Sequence, residues 1–227
     1  MKEVTILNEI KERSMSINME DQEKIDGRTL RAQRTHASVH AKILLALRDL
    51  AAEGANDLTP TRIAARAGVS ATTIYNHFPG STGQILDEMI DEIFAGAAAS
   101  AQPFVDSGEP LEATRAVMRT FAVELVKLGP GGKVALSHHY ESLAKAEKQR
   151  EMFENFVYPI VSREGGLDDR LALKFTRHLG IIVRGLHSTW ANFPISRVDD
   201  QFAISDEEFV DLHLHSVDHA MMLAKSK

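Results

Sequence analysis

Residues 58–78 read LTPTRIAARAGVSATTIYNHF, and this stretch decides the fold. Thr59 is a suitable N-cap, and Pro60 suits the first position of a helix, where its missing N–H costs nothing. Gly68 can take the positive φ that a tight turn needs, and Ser70 is a second N-cap. The stretch therefore predicts two short helices joined by a glycine turn, which is the helix-turn-helix pattern.

Helical periodicity continues on both sides of this unit. Apolar residues recur at three- and four-residue spacing from about Thr35 to a helix end at Gly54, and again from about Thr82. Ser205 to Glu208 form a capping box that opens the last helix. Further helices are expected over residues 111–128, 133–162 (one helix or two) and 168–193, with a loop and domain junction over residues 102–110. The sequence predicts an all-α fold of about nine helices.

Length and composition exclude several classes of protein. The chain has 227 residues, of which 44% are hydrophobic and 26% charged, as in ordinary globular proteins. It has no cysteine, so disulfide scaffolds and thiolate chemistry are excluded. No apolar run approaches the roughly 18 residues of a membrane helix, and no signal peptide is apparent. We expect a cytoplasmic protein with no membrane partner.

The charge is unevenly distributed along the chain. The net charge of -6 alone argues against nucleic acid as a partner. Residues 1–27 hold four basic and seven acidic residues, whereas residues 28–80 hold seven basic and three acidic ones. The remainder is acidic. The basic island coincides with the helix-turn-helix and favours contact with a polyanion through that region, with salt-dependent affinity.

Residues 58–78 closely resemble the helix-turn-helix of the TetR family of bacterial transcriptional regulators. The match includes the Thr-Pro cap, Ile-Ala before the turn, Ala-Gly-Val-Ser across it and the Ile-Tyr-x-x-Phe ending. With its flanking helices the resemblance covers about residues 35–94. It implies a tail or accessory helix over residues 1–27, a DNA-binding domain over 28–84, and an effector-binding and dimerisation domain over 85–227.

The second helix of such a unit enters the major groove, where its N-terminal side chains reach base edges. Asn can pair with adenine through two hydrogen bonds, and a Thr methyl can pack on thymine. Base contacts are expected from Ala71, Thr72 and Asn76. Thr73, Tyr75 and His77 are expected to contact the phosphates, together with Thr61 and Arg62 on the preceding helix and a basic arm of Arg28, Arg31 and Arg34 before the first helix.

One position departs from the family pattern. Family members usually carry a lysine at the start of the helix that follows Tyr-x-x-Phe, where it binds a phosphate. Here Ser81 occupies that position, or Thr82 does if one residue is inserted. A hydroxyl and free N–H groups at a helix N-terminus can still bind phosphate, but the positive charge of the lysine is missing.

The resemblance implies a homodimer in which the last two helices form a four-helix bundle with their partners. The last helix has an apolar stripe of Val210, Leu214, Val217 and Met221, which Phe209, Leu212, Ala220 and Leu223 widen. One intramolecular contact does not need so wide a face. A two-fold dimer would place two helix-turn-helix units on half-sites about 34 Å apart on a pseudo-palindromic operator.

The C-terminal region is expected to bind a small-molecule effector. The predicted ligand contacts are His138, Tyr140, Phe153, His178, Ile182 and Trp190. His139, His187 and Asn192 are further candidates, in apolar surroundings that include Phe121, Phe156 and Leu179. Burial of His178 with a backbone carbonyl partner and packing of Trp190 are the simpler interpretations. An enclosed cavity of a few hundred Å³ would indicate an effector.

Other chemistries find less support in the sequence. Asp211, His215 and His219 are spaced for one helix face and could bind a divalent ion, but a solvated surface is the simpler interpretation. The sequence has no glycine-rich phosphate loop, no G-x-S-x-G motif and no HExxH motif. We expect no metal, no cofactor and no enzymatic activity. The resemblance implies a ligand-responsive DNA-binding regulator, a repressor that its effector releases from DNA. The alternative is a regulator whose C-terminal domain serves only dimerisation or protein contacts.

Overall fold

A computed structural model describes residues 27–55, 57–140, 143–163, 166–192 and 204–226. These residues form ten helices, one of them only five residues long, and no strand occurs among them. The all-α prediction is confirmed. The helices are α1 (Gly27–Ala52), α2 (Pro60–Ala67), α3 (Ala71–His77), α4 (Ser81–Ala99), α5 (Gln102–Asp106), α6 (Pro110–Lys127), α7 (Pro130–His139), α8 (Leu143–Val161), α9 (Asp169–Asn192) and α10 (Asp206–Lys225).

The chain divides into two compact units, Met1–Lys42 and Ile43–Lys227. The second unit contains α2 to α10, so the helix-turn-helix and the C-terminal helices belong to one compact body. The predicted domain boundary after residue 84 stays a prediction. The expected tail or accessory helix lies outside the described residues over positions 1–26. In the described part of the chain, no helix is both long and apolar enough to cross a membrane.

Helix α1 begins earlier than its apolar pattern suggested. Periodicity predicted a start near Thr35, but the helix extends back to Gly27 through a polar stretch. The residues expected to form a basic arm before the first helix are therefore helical themselves. Further along the same helix, Ile43, Leu47 and Leu50 are buried, as expected.

The caps of the helix-turn-helix confirm the sequence prediction in detail. The Thr59 side chain accepts a hydrogen bond from the backbone N–H of Arg62, and Ser70 accepts one from that of Thr73. Gly68 ends α2 with φ of 68°. This conformation is unfavourable for a residue that has a Cβ atom. Ile63 and Ile74 are fully buried and fix the two helices to the core.

Two boundaries in the middle of the chain differ from expectation. Residues 102–110 were expected to be a loop, but α5 occupies Gln102–Asp106, with Pro103 near its start. For residues 133–162, where one helix or two were expected, the structure has two, and the first of them, α7, begins at Pro130 instead of residue 133. Pro103 and Pro130 each supply the helical φ in the first turn of their helix, where no N–H is needed. This favours the observed helix starts at Gln102 and Pro130.

The long helices α9 and α10 pack against each other, and α10 also packs on α6. The apolar residues that recur at helical spacing along α9 are only partly buried, because Phe175 and Leu179 are fully buried whereas Leu171, Ile182 and Leu186 are half-buried. The α9 residues that are actually buried are Ala172, Phe175, Thr176, Leu179, Val183, His187 and Trp190. The predicted end at Phe193 lies outside the described residues.

The apolar stripe predicted for α10 is partly buried. Val217 and Met221 are buried, as is Phe209 beside the stripe, whereas Val210 and Leu214 are half-buried. His213 is also fully buried. The capping box is confirmed, because Ser205 and Glu208 exchange side-chain and backbone hydrogen bonds. A backbone hydrogen bond from Ser205 also lowers the pKa of the Glu208 carboxyl.

Candidate functional site

Helix α3 presents a polar surface on a rigid base. Ile74 and Phe78 are fully buried beneath it, and the Ser70 cap orders its first turn. The hydroxyl oxygens of Ser70 and Thr73 lie 2.8 Å apart, so the Thr73 hydroxyl is already used in the cap. Six α3 residues were expected to contact DNA: Thr72, Tyr75 and Asn76 are exposed, and Ala71, Thr73 and His77 are half-buried.

The arginines around this surface are neutralised by acidic neighbours. Arg62, which was expected to contact phosphate, lies 2.5 Å from Asp57, while the neighbouring Thr61 is exposed. Arg66 lies 2.5 Å from Glu53, and this hydrogen bond lowers the pKa of the Glu53 carboxyl. Of the seven basic residues counted over residues 28–80, Arg62 and Arg66 are therefore paired with carboxylates within the fold.

The remaining cationic side chains lie on α1. Arg31 and Arg34 are exposed and make no ion pair within the described part of the chain. The two arginines are three residues apart and hence occupy neighbouring positions on one helix face. Arg28 belongs to the same helix, but its side chain lies outside the described residues.

The turn into α4 has a strained residue at the position where the family carries lysine. Ser81 is half-buried and has φ of 58°, the one positive φ at a non-glycine residue in the described chain. Its N–H donates to the Phe78 carbonyl over 2.8 Å, and the N–H of Gly80 donates to Oε1 of Gln84. The N–H groups of Gly80 and Ser81 are therefore occupied and not free for a phosphate. Thr82 beside them is half-buried.

Helix α4 connects the helix-turn-helix to the C-terminal helices through a polar cluster. A Cβ atom on Gly83 would lie 2.7 Å from Nε2 of His138, so a larger residue at this position would require the His138 ring to shift. One turn further on, Asp87 lies 3.2 Å from Nδ1 of His139 and 3.3 Å from Nζ of Lys145. Burial lowers the pKa of His139 although Asp87 opposes the shift.

A cavity of about 520 Å³ lies among α4, α6, α8 and α9. Several aromatic rings line it: the Phe94 and Phe121 ring centroids are 6.0 Å apart, and the Phe121 centroid lies 5.4 Å from that of His187. The residues that line it are Phe94, Met118, Phe121, Tyr140, Arg150, Phe153, Glu154, Thr176, Arg177, Gly180, Ile181, Val183, Arg184 and His187. Its size is that of sites for small organic ligands.

A chain of hydrogen bonds runs from this cavity into α10. Nδ1 of His213 lies 2.7 Å from the Phe209 carbonyl oxygen, which can only accept, so this nitrogen carries a proton. Burial lowers the pKa of His213 to about 4 and that of His187 still more clearly, so both rings are neutral.

Because a neutral imidazole has one donor and one acceptor nitrogen, the direction of the remaining hydrogen bonds of His213 and His187 follows. Nε2 of His213 must accept, so Nε2 of His187 donates to it over 2.9 Å. Nδ1 of His187 is then an acceptor, and the hydroxyl of Tyr140 donates to it over 2.5 Å. The chain of donors has one direction, from Tyr140 to Phe209.

Comparison with known families identifies one part of the chain. Residues 43–89 match the model described as bacterial regulatory proteins, tetR family. This part of the chain is a TetR-family DNA-binding domain. The match extends from α1 into α4 and includes the whole helix-turn-helix, so the protein is a DNA-binding transcriptional regulator. A comparison with curated proteins finds no match.

Two of the six ligand contacts predicted from the sequence line the cavity. They are Tyr140 and Phe153; Phe121 and His187, which were weighed as surroundings or further candidates, also line it. Ile182 is half-buried outside the lining, which takes Ile181 and Val183 instead. His138 lies at the junction of α4 and α7. His178 is half-buried with a buried Nδ1 that has no hydrogen-bond partner among the described residues.

Trp190 has a packing role in this structure. It is fully buried, donates from Nε1 to Asp206 over 2.9 Å, and stacks on Phe209 with 4.2 Å between ring centroids. It therefore holds the end of α9 against the start of α10, outside the cavity lining.

The helix face of Asp211, His215 and His219 is exposed. Nδ1 of His215 bonds to the Asp211 carbonyl, and Nδ1 of His219 bonds to the His215 carbonyl. Across the described ranges, no group of three or more potential ligands is placed to hold a metal ion.

Sequence reasoning missed Thr176, Arg177, Gly180 and Arg184 of the cavity. Helical spacing could have indicated part of this lining, because positions 176, 180, 183 and 187 share one face of α9. That face contains a threonine and a glycine, so a search for apolar stripes passed over it.

Proposed function

We propose that this TetR-family regulator is a ligand-responsive repressor. It binds a pseudo-palindromic operator as a homodimer and leaves the operator when a small molecule occupies the C-terminal cavity. The observation that carries the proposal is that one compact unit contains both the helix-turn-helix and a cavity of about 520 Å³. The proposal includes no chemical reaction.

Helix α4 is the element through which the two regions would be coupled. It begins three residues after Phe78, packs against α6 and α7, and contributes Phe94 to the cavity. A ligand that displaces Tyr140 would also displace its neighbour His139, which lies 3.2 Å from Asp87 of α4. A shift of α4 would move α3, because the buried Phe78 joins them. Such coupling requires that the ligand prefer one arrangement of α4 over the other.

The homodimer would form through the outer faces of α9 and α10. Large apolar side chains that do not line the cavity are exposed on both helices: Leu173 on α9, and Leu212, Met222 and Leu223 on α10. An apolar surface spread over two adjacent long helices favours association, since burying it removes apolar area from water. A two-fold axis through this face would present the two α3 helices to half-sites about 34 Å apart.

On DNA, Thr72 and Asn76 are proposed to read base edges, with Ala71 beside them. The phosphate contacts are proposed to come from Arg31, Arg34 and Tyr75, with Arg28, Thr61, Arg62, Thr73, His77, Ser81 and Thr82 as further candidates. The exposed amide of Asn76 suits adenine, which offers an acceptor and a donor side by side in the major groove.

Selection of bound sequences from random duplex DNA tests the proposal. The expected product is a pseudo-palindrome, and Asn76→Ala should weaken binding to it by about 1–3 kcal/mol and relax one base position in each half-site. Thr61→Ala, on the exposed side of α2, is the comparison variant. It should weaken binding to all DNA sequences to the same extent. A selected site without two-fold symmetry would contradict binding as a homodimer. If no bound ligand changes the affinity for the operator, the alternative of a regulator without an effector is favoured.

A further inference from the structure

The cavity contains a buried hydroxyl group that the protein itself does not satisfy. Thr176 lines the cavity and is only 1% exposed, yet its Oγ1 has no hydrogen-bond partner within the described chain. A helical threonine commonly donates to the carbonyl four residues earlier, so an unbonded hydroxyl here is unusual. A buried polar group without a partner costs free energy, which a bound molecule carrying a hydroxyl or carbonyl could recover.

The body of the cavity suits an apolar, aromatic molecule. Phe94, Phe121 and Phe153 line it from three different helices, and Met118 and Val183 add aliphatic surface. The Phe94 and Phe121 rings meet edge to face, at an interplanar angle of 72°, which leaves ring faces available for stacking. Gly180 of α9 lines the cavity next to Phe153 and has no side chain, which leaves room there for an aromatic ring of the ligand.

The outer part of the cavity carries more positive than negative charge. Arg150, Arg177 and Arg184 line it, with Glu154 as the one carboxylate in the lining. Glu154 is bound by Arg150, whose guanidinium also bonds to Glu147. Arg177 is exposed and makes no ion pair in the residues that the structure describes. The uncompensated charge in the cavity is therefore a guanidinium, which binds carboxylates through two parallel hydrogen bonds.

We propose that the cavity binds an aromatic carboxylic acid as its anion, with a second polar group at the far end of the ring system. The carboxylate contacts Arg177, the rings lie among the three phenylalanines, and the second polar group bonds to the Thr176 hydroxyl. This inference rests on the proposed function, because it names the chemical class of the effector for the same cavity.

A matched series of probes tests whether the outer part of the cavity prefers a negatively charged group. Biphenyl-4-carboxylate, biphenyl-4-methanol and biphenyl-4-methylamine share one body and differ in charge, and calorimetric titration of the full chain measures each dissociation constant. The carboxylate should bind at least tenfold more tightly than the alcohol or the amine. Arg177→Gln should remove that preference, and Arg170→Gln, an exposed arginine of α9 outside the lining, should keep it. Tighter binding of the amine or alcohol, or binding by none of the three, would overturn the proposal.

The hydroxyl contact has its own test. 4′-Hydroxybiphenyl-4-carboxylate should bind about tenfold more tightly than biphenyl-4-carboxylate to the unaltered protein. Thr176→Val keeps the shape of the side chain and removes the hydroxyl, so the two acids should bind this variant equally. Thr176→Ser keeps the hydroxyl and should retain the difference. Equal affinities in the unaltered protein, or a difference that persists in Thr176→Val, would remove Thr176 from the site.

The ligand class and the proposed function can fail separately. Binding is measured without DNA, and release from the selected operator is measured afterwards by fluorescence anisotropy. Selective binding of the acid without release would leave the ligand class standing and contradict the ligand-released repressor. Release by a neutral molecule that binds in the cavity would support the repressor and contradict the carboxylic acid.

Discussion

The hydroxyl oxygen of Tyr140 lies 2.5 Å from Nδ1 of His187, where the cavity wall meets the hydrogen-bond chain into α10. Tyr140→Phe would remove the donor and leave that nitrogen buried without a partner. A buried acceptor deprived of its partner costs about 1–3 kcal/mol, and the free energy of unfolding should fall by that amount in a urea titration. Tyr158→Phe is the control, because its hydroxyl makes a longer, exposed bond of 3.4 Å to Asp169 and should cost under about 0.5 kcal/mol. Equal reductions in the two variants would contradict the assigned role of Tyr140.

The His187 and His213 pair should make stability depend on pH. Burial lowers the pKa of both rings, that of His213 to about 4, so the unfolded chain binds protons that the folded chain excludes. The stabilising effect is therefore complete above the unfolded pKa of about 6.5 and diminishes as pH falls toward 4. Within that window each ring should lower the free energy of unfolding by about 1.4 kcal/mol per pH unit.

Urea unfolding at pH 7.5 and at pH 5.5 measures this effect. His213→Gln replaces one titrating ring by a neutral amide, so the difference in unfolding free energy between the two pH values should shrink. If that difference is unchanged in His213→Gln, another group is responsible for the acid sensitivity.

Local signals explain which parts of the fold could be predicted. The caps at Thr59 and Ser70 and the turn at Gly68 depend on a few adjacent residues, so the helix-turn-helix was predicted almost to the residue. The apolar stripe from Ile85 to Ala97 is dense and correctly identifies the buried face of α4. The start of α1 gave no such signal, because its first turns are polar and have no apolar periodicity.

The cavity depends on contacts between distant residues, which the sequence does not reveal. Tyr140 and His187 are 47 positions apart, and both face a space whose shape is set by four helices. A cavity-lining face differs from a core face in having gaps and unsatisfied groups, such as Gly180 and Thr176. The ion pairs were not predicted either: Glu53 lies in the turn after α1 and Arg66 lies in α2, and the fold brings them within 2.5 Å.

Operator binding should depend on the arginines of α1 more than on those of α2. Arg31 and Arg34 are exposed without ion pairs in the described chain, whereas Arg62 is bound to Asp57. Arg31→Gln combined with Arg34→Gln should reduce the slope of log affinity against log salt by about 0.9 for each phosphate that the variant no longer neutralises. Arg62→Gln should change the slope less. Arg119→Gln, an exposed arginine of α6, serves as the control for net charge. A slope that depends equally on all of these arginines would contradict this distribution of phosphate contacts.

Ser81 offers separate tests of strain and of charge. Its φ of 58° disfavours any residue with a Cβ atom, so Ser81→Gly should raise the free energy of unfolding by about 1 kcal/mol. Ser81→Lys keeps the strain and should leave stability unchanged. The lysine should raise operator affinity and steepen the salt slope by about 0.9 per helix-turn-helix unit, since it supplies the phosphate contact that the family usually has. Glycine should not do so. A gain in affinity from both variants would indicate that the backbone, and not the charge, limits binding.

Two glycines of α9 separate helix stability from cavity volume. An added Cβ on Gly180 would meet Phe153 at 3.6 Å, an ordinary contact on the cavity floor, whereas one on Gly185 would meet nothing within 4 Å. Alanine is favoured over glycine inside a helix by up to about 1 kcal/mol, so both Gly180→Ala and Gly185→Ala should raise the melting temperature. Only Gly180→Ala narrows the space beside Phe153, and it alone should weaken binding of biphenyl-4-carboxylate in a calorimetric titration. Equal affinities in the two variants would mean that the probe does not occupy the part of the cavity next to Gly180.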